Sequence, residues 1–447
     1  MKKKEILQKI SIVLVLSLVV GITSLASITS TKANNNSFKV LTYNVAGLPA
    51  LLSSSNPDVN TPLISPLLNQ FDLVSVQEDF AYHNQLVQSI THPYQSSHSG
   101  NVPLGDGMNF MSRFPLYETT RYKWNESSGL VSNGADQLTP KGILYSSMEL
   151  APGYFVDIYN LHTDAGSDEA SLAARRSNMT QLATLINQRS IGKAVIVLGD
   201  TNSRYTRSAD NFETAVLATC GLTDPWISFK RNGSIPADGD ALIDSNNLNS
   251  GSNEVVDKIW FRSGANVTLT ATSYDLLDTY FTNSSGGQLS DHYGITTTFS
   301  YTLNDQIRTS ETYGGGGGTA FSFMGTMGTN LPTKISIRTG TRVDSLAFTY
   351  GTNTVSAGGN GGTLQELTLQ AGEYVTKLEV SKAKKTTFGT YRISYVKFTT
   401  NYGRTLSGGT ASDIYTFNAP SGYGIGGLHG HFAEEIDRLG VLYLRVQ

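Results

Sequence analysis

Short runs of apolar residues, each closing on polar side chains, set the rhythm of the first two thirds of this chain. From Phe38 onward they read KVLTYNV (39–45), DLVSVQE (72–78), MNFMSRF (108–114), GILYSSMEL (142–150), YFVDIYNLHT (154–163), KAVIVLGDTN (193–202), VVDKIWFR (255–262) and HYGITTTFSY (292–301). Their length and their β-branched and aromatic content predict strands. Between two of them, SLAARRSNMTQLATLINQR (171–189) places Leu172, Met179, Leu182, Leu185 and Ile186 at helical spacing with arginines alongside. That spacing predicts a surface helix lying on a sheet. Strands interleaved with helices predict an α/β layered domain over 34–300. The segment TLNDQIRTSET has little apolar content and is expected as a linker over 301–311. After it the pattern changes to Gly- and Thr-rich alternation with almost no helical period, which predicts an all-β domain over 312–447.

Composition supports two folded units and excludes a disordered chain: of 447 residues, 39% are hydrophobic and only 15% charged, with 44 glycines and 22 tyrosines. The basic start MKKKEILQK followed by an apolar stretch reads as a secretory signal over 1–33, hence a secreted, extracellular protein. An uncleaved membrane anchor is the alternative, weakened by Ser17, Gly21, Thr23 and Ser24 within the stretch. Cys220 is the sole cysteine, so no internal disulfide framework exists and core burial must hold the fold. Residues 34–300 carry 15 Lys and Arg against 25 Asp and Glu, whereas 301–447 carry 13 against 10. An acidic first domain offers no general attraction to a polyanion, which counts against nucleic acid as its substrate.

The chemistry-bearing residues recur at strand ends. Asn44, Glu78, His162, Asp200 with Asn202, and Asp291 with His292 each stand where a predicted strand stops or starts. In order, LTYNVAG, VQED, MSRFP, NLHTD, GDTNS, VDKIWF and SDHYGI resemble the endonuclease/exonuclease/phosphatase superfamily, over roughly residues 37–300. The resemblance implies a four-layer α/β sandwich, two packed sheets flanked by helices, with the active site where strand ends converge. It also implies a phosphoester hydrolase using a divalent cation, Mg²⁺ or else Mn²⁺ or Ca²⁺, because a hard ion stabilises charge gathering on phosphoryl oxygens. Glu78 is the expected ligand, with Asn44 beside it and Asp291 helping the same ion or a second one. His292 is the expected general base with Asp257 fixing its tautomer, although Asp200 is an alternative base. Asp200 would otherwise orient the attacking water, while Asn202 and His162 would donate to phosphoryl oxygens. Arg113 is expected to brace the fold, and His83, His92 and His98 match no motif and are expected at the surface.

Within that superfamily, KGILYSSMEL and the acidic domain are similar to secreted sphingomyelinase-like members, so a phospholipid is the favoured substrate, with nucleic acid and inositol phosphates left open. Lys141 is a candidate contact to phosphate. Residues 312–447 resemble a jacalin-related lectin, through YGGGGGTAF, AGGNGG (357–362), LTLQAGEYVTKLEV, VKFTTNYGRT and IGGLHGHFAEEIDRLGVLYL. This implies an all-β prism of three sheets that binds a glycan at one end. Gly314 or Gly315 would let the backbone approach the sugar and Asp437 would accept from its hydroxyls. Ala433 replaces a family glycine there, and Glu434 and Glu435 stand where aromatics can occur. The run Gly314–Gly318 is not a phosphate loop, since no Lys-Ser/Thr follows. Two further readings follow from the same residues: a metal-dependent endonuclease, or a glycan-binding adhesin or toxin with an inactive catalytic domain.

Overall fold

A computed structural model describes residues 36–50, 55–128, 139–242, 253–386 and 389–446. The expected secretory signal lies outside these residues. Among them, no helix is long and apolar enough to cross a membrane.

Two mixed sheets form the first domain. One is built from β1 (Ser37–Asn44), β2 (Leu73–Gln77), β3 (Tyr94–Gln95), β4 (Asn109–Ser112), β10 (Val267–Leu276) and β11 (Ile295–Leu303). Its strands are ordered β10-β11-β1-β2-β4-β3. The other is built from β5 (Leu116–Lys123), β6 (Gly142–Ala151), β7 (Tyr154–His162), β8 (Ala194–Asp200) and β9 (Asp257–Arg262), which lie side by side in chain order. Each sheet has one parallel pair at its middle, β1 with β2 and β7 with β8. All residues of β7 and β8 are buried, as strands covered on both faces must be.

The two sheets pack face to face through Phe38, Val40, Phe110, Val156, Ile158 and Ile259. Period-2 alternation sends Leu41 and Tyr43 of β1 to the other face, where helix α1 (Pro57–Leu67) covers them with Ile64. On the far side the predicted helix forms as Glu169–Arg189, started by Asp168, whose carboxylate accepts from the amides of Ala170 and Ser171. Its Met179, Leu182 and Ile186 meet the outer face of the second sheet. Helix, sheet, sheet, helix is the layered sandwich that the resemblance implies.

Polar side chains also join the sheets. Asn160 of β7 donates to the carbonyls of Val76 and Asn109, and accepts from the Gln77 amide at 2.8 Å. These buried bonds fix the sheets in register near the strand ends that carry the candidate site.

The second domain is an all-β prism of three sheets around one core. Their central strands are Tyr423–Phe432 with Ile436–Arg445, Lys334–Thr339 with Val343–Tyr350, and Val375–Lys384 with Tyr391–Thr400. The expected linker at 301–311 is mostly structured. β11 runs on to Leu303, and Ile307–Thr309 already pairs with Leu442–Leu444 of the prism. Burial of Ile307 and Thr309 gave this segment a strand that its low apolar content concealed. The domains also touch through Glu118, which lies 2.8 Å from Arg189 and 3.5 Å from Arg438 and accepts from the Thr312 hydroxyl.

Asn160→Leu should destabilise the protein by roughly 1–3 kcal/mol, because Gln77 and two buried carbonyls lose their partner. Equilibrium urea unfolding measures this; an unchanged midpoint would show that these bonds do not hold the sheets.

Candidate active site

Strand registry assembles the site. His162 pairs with Asp200 across β7 and β8, and Asp200 pairs with Asp257 across β8 and β9, so three chemistry-bearing side chains stand side by side at one sheet edge. The facing sheet contributes Asn44 from the end of β1 and Glu78 just past β2, and His292 arrives from the loop before β11. Glu78 has a φ of 59°, a left-handed conformation that side chains other than glycine rarely adopt and that costs on the order of 1–3 kcal/mol. Neighbouring backbone enforces it: the Glu78 carbonyl accepts from the amides of Gly47 and Phe80, and Asp79 donates to Gly107. A side chain on Gly107 would strike the Phe80 ring, so the turn needs glycine there.

Asn44 couples the sheets. Its amide nitrogen donates to Glu78 Oε1 at 3.0 Å and to Asp200 Oδ2 at 3.2 Å, while its oxygen accepts from the Ala46 amide. Around the same Asp200 oxygen stand His162 Nε2 at 3.4 Å and His292 Nε2 at 3.7 Å. His292 Nδ1 donates to Asp257 Oδ2 at 2.9 Å, which fixes the ring orientation. Asn202, with a φ of 46°, turns its own amide onto Asp200 Oδ1 at 3.0 Å.

The electrostatics follow from these contacts. Burial opposes the charge on Asp200, but His292, then His162 and Lys141, overcome it and bring its pKa to about 2. Burial works against protonating His292 as well, yet Asp257 and Asp200 raise it well above the usual imidazole range. Burial, with Lys141 adding to it, lowers His162 to about 3 and keeps that ring neutral. Burial raises both Glu78 and Asp257.

The buried carboxylates suit a cation. Asp257 Oδ1 is buried without a hydrogen-bond partner, and Asp200, Asp257 and His292 each offer a ligand atom within 4.8 Å of the others. Glu78 adds a further carboxylate held by the same Asn44 amide. Of the expected metal set, Glu78 and Asn44 adjoin this cluster, but Asn44 presents nitrogen rather than oxygen to the carboxylates. Asp291 is exposed beside it, 3.4 Å from the Ser290 hydroxyl.

Sequence reading missed several supports. Ser290 is buried and donates to the Asn44 carbonyl at 2.7 Å while accepting from the His292 amide, which ties the last loop to β1. Trp124 donates to the His162 carbonyl at 2.7 Å. Lys141, the candidate contact to phosphate, donates to the Thr163 carbonyl at 3.3 Å. Arg113 braces the fold as expected, donating to the Asn69 carbonyl. The three histidines expected at the surface are not simply solvated. His92 is buried against the Phe71 carbonyl, and His83 and His98 stack on each other beside Asp79. The i, i+4 spacing of Asp79 and His83 was the available signal.

In the prism, Asp437 is buried under the glycine run, but its carboxylate faces Arg392 Nε at 2.6 Å. Glu435, expected at a position open to aromatics, is buried too and paired with Arg342, Lys385 and Arg392. Gly314 and Gly315 are required by close backbone approach to Asp437–Arg438 and to Tyr391; the glycine against the Asp437 carboxylate is Gly318. Ala433 donates its amide to the Glu435 carbonyl, and Glu434 is exposed.

Comparison with known proteins agrees with this architecture. Residues 19–237 match the model of endonuclease/exonuclease/phosphatase family 2, and residues 310–442 match the jacalin-like lectin domain. The first match stops before Asp257 and His292, which the sheets bring back to the same site. A sphingomyelinase of Mycobacterium tuberculosis is 36% identical over 289 residues, covering 62% of this chain and 55% of the relative. The chain thus spans about half the length of the curated relatives it matches. Among solved structures, beta toxin from Staphylococcus aureus is 17% identical and covers 58% of this chain and 99% of its own, with a TM-score of 0.42. Malaysian banana lectin is 25% identical and covers 31% and 99%, with a TM-score of 0.27. The chain therefore joins a domain of the endonuclease/exonuclease/phosphatase family to a jacalin-like lectin domain.

Proposed function

We propose that the protein is a secreted, divalent-metal-dependent phosphodiesterase that cleaves a phospholipid of the sphingomyelin type and is targeted by glycan binding through its prism domain. The observation that carries the reading is the meeting of Glu78, Asp200 and the Asp257–His292 pair at converging strand ends. The 36% identity to a sphingomyelinase favours the lipid. The acidic balance of residues 34–300 disfavours nucleic acid.

A divalent ion such as Mg²⁺ would be held by Glu78 together with Asp200 and would stabilise the charge gathering on the phosphoryl oxygens. Around it the protein's own residues divide the work. Asp257 holds the His292 ring, and His292 Nε2, once it has given up its own proton, takes one from the attacking water. His162, kept neutral by burial, donates a hydrogen bond without adding charge, and Asn202 is placed by Asp200 to do the same.

Purified protein should release phosphocholine from sphingomyelin and leave duplex DNA intact. Chelator should abolish release, and His292→Ala should lower kcat by about 10²–10⁴-fold. Chelator-insensitive turnover, or DNA cleavage without lipid cleavage, would overturn the reading. A soluble glycan that binds the prism should slow hydrolysis on cells but not on detergent micelles; equal slowing on both would remove the targeting role.

The two active-site imidazoles should titrate in opposite directions in metal-free protein, as nitrogen-detected NMR can follow. His162 stays neutral until about pH 3, so from the unfolded value of 6.5 downward the unfolded chain takes up the proton first and stability falls. His292 stays protonated above 6.5, so its stabilising pairing is complete below that pH and is lost as pH rises through its folded pKa. Asp257→Asn should move His292 down toward the ordinary range.

A further inference from the structure

Outside the catalytic cluster a second group of ligand-type side chains comes together. Asp79 follows Glu78, His83 opens the short helix His83–Val87, and His98 lies in the loop before β4. One ligand atom from each lies within 4.8 Å of the others. His83 Nδ1 is 2.6 Å from Asp79 Oδ2, and His98 Nε2 is 3.0 Å from the Asp79 carbonyl. The rings stack with centroids 4.1 Å apart. Asn109, itself buried, donates to Asp79 Oδ2 at 2.6 Å and sets the carboxylate in place. Asp79 is buried while His83 remains about one fifth exposed, so the group is preorganised from below and open to solvent above.

We propose that Asp79, His83 and His98 form a site for a borderline transition-metal ion such as Zn²⁺, separate from the hard-ion site at Glu78 and Asp200. Two imidazoles and one carboxylate are nitrogen-rich donors that suit Zn²⁺ over Mg²⁺. Two ligands of one such ion stand roughly 3.3 Å apart at bond lengths near 2.0 Å, so the 2.6 Å contact must open and one ring must tilt from its stack. Water completes the coordination from the exposed side. Asp79 is bonded through its backbone to Gly107 and lies next to the strained Glu78. An ion here ties three chain segments together and stiffens the loop that presents the catalytic carboxylate.

The test uses the full chain with His292→Asn, which removes an imidazole of the other cluster, and follows Co²⁺ by its visible d–d absorption. One equivalent of strongly absorbing Co²⁺ is expected, displaced by Zn²⁺ and not by Mg²⁺. His83→Gln and His98→Gln, which keep a polar partner for Asp79, should each weaken binding by about tenfold or more. The thermal midpoint should rise with Zn²⁺ in the His292→Asn protein and not in the doubly substituted ones. Absence of the absorption, or absorption that survives both glutamine substitutions, would overturn the proposal.

Discussion

The Asn44 amide group is the point on which the first domain turns. One nitrogen reaches a carboxylate from each sheet, Glu78 and Asp200, and holds two like charges near each other that would otherwise repel. It does so because β1 and β8 face each other across the core and because Asn160 and Gln77 lock the sheets in register below. A slip of one residue in β1 would turn Asn44 away from the cleft and bring a core side chain into it. The polar site and the apolar core are therefore specified by the same alternation.

Charge around Asp200 follows from that placement. Two buried carboxylates, Asp200 and Asp257, and the half-buried Glu78 gather with a protonated His292 and the nearby Lys141, while His162 is kept neutral by burial. The surplus of negative charge is tolerable beside water and well matched to a cation. The strained turn at Glu78 belongs to the same arrangement, since its backbone conformation is held by Gly47, Phe80 and Gly107 rather than by any preference of glutamate itself.

Much of this was legible in the chain. Apolar runs ending in Asn44, Glu78, His162 and Asp200 mark both the strands and the site, because a strand end is where a side chain leaves the core. Asp257 and His292 were legible through the motifs around them, and their mutual bond matches the expected pairing. Other features depend on long-range contacts that local pattern does not encode. Ser290 reads as an ordinary loop serine until it bonds the Asn44 carbonyl. Asp437 reads as a sugar acceptor until Arg392, from a different strand of the prism, is folded against it. The segment at 301–311 reads as a tether because its few apolar residues are split between two cores, Tyr301 and Leu303 packing on the sandwich and Ile307 in the prism.

That last feature changes what the second domain does mechanically. Only residues 304–306 separate the final strand of the sandwich from the first strand of the prism, and Glu118 makes a second bridge to Thr312 and Arg438. The prism is thus a bracket rather than a lead on a rope. A molecule held by the prism would therefore meet the candidate site of the sandwich across a short structured junction and not at the end of a slack chain.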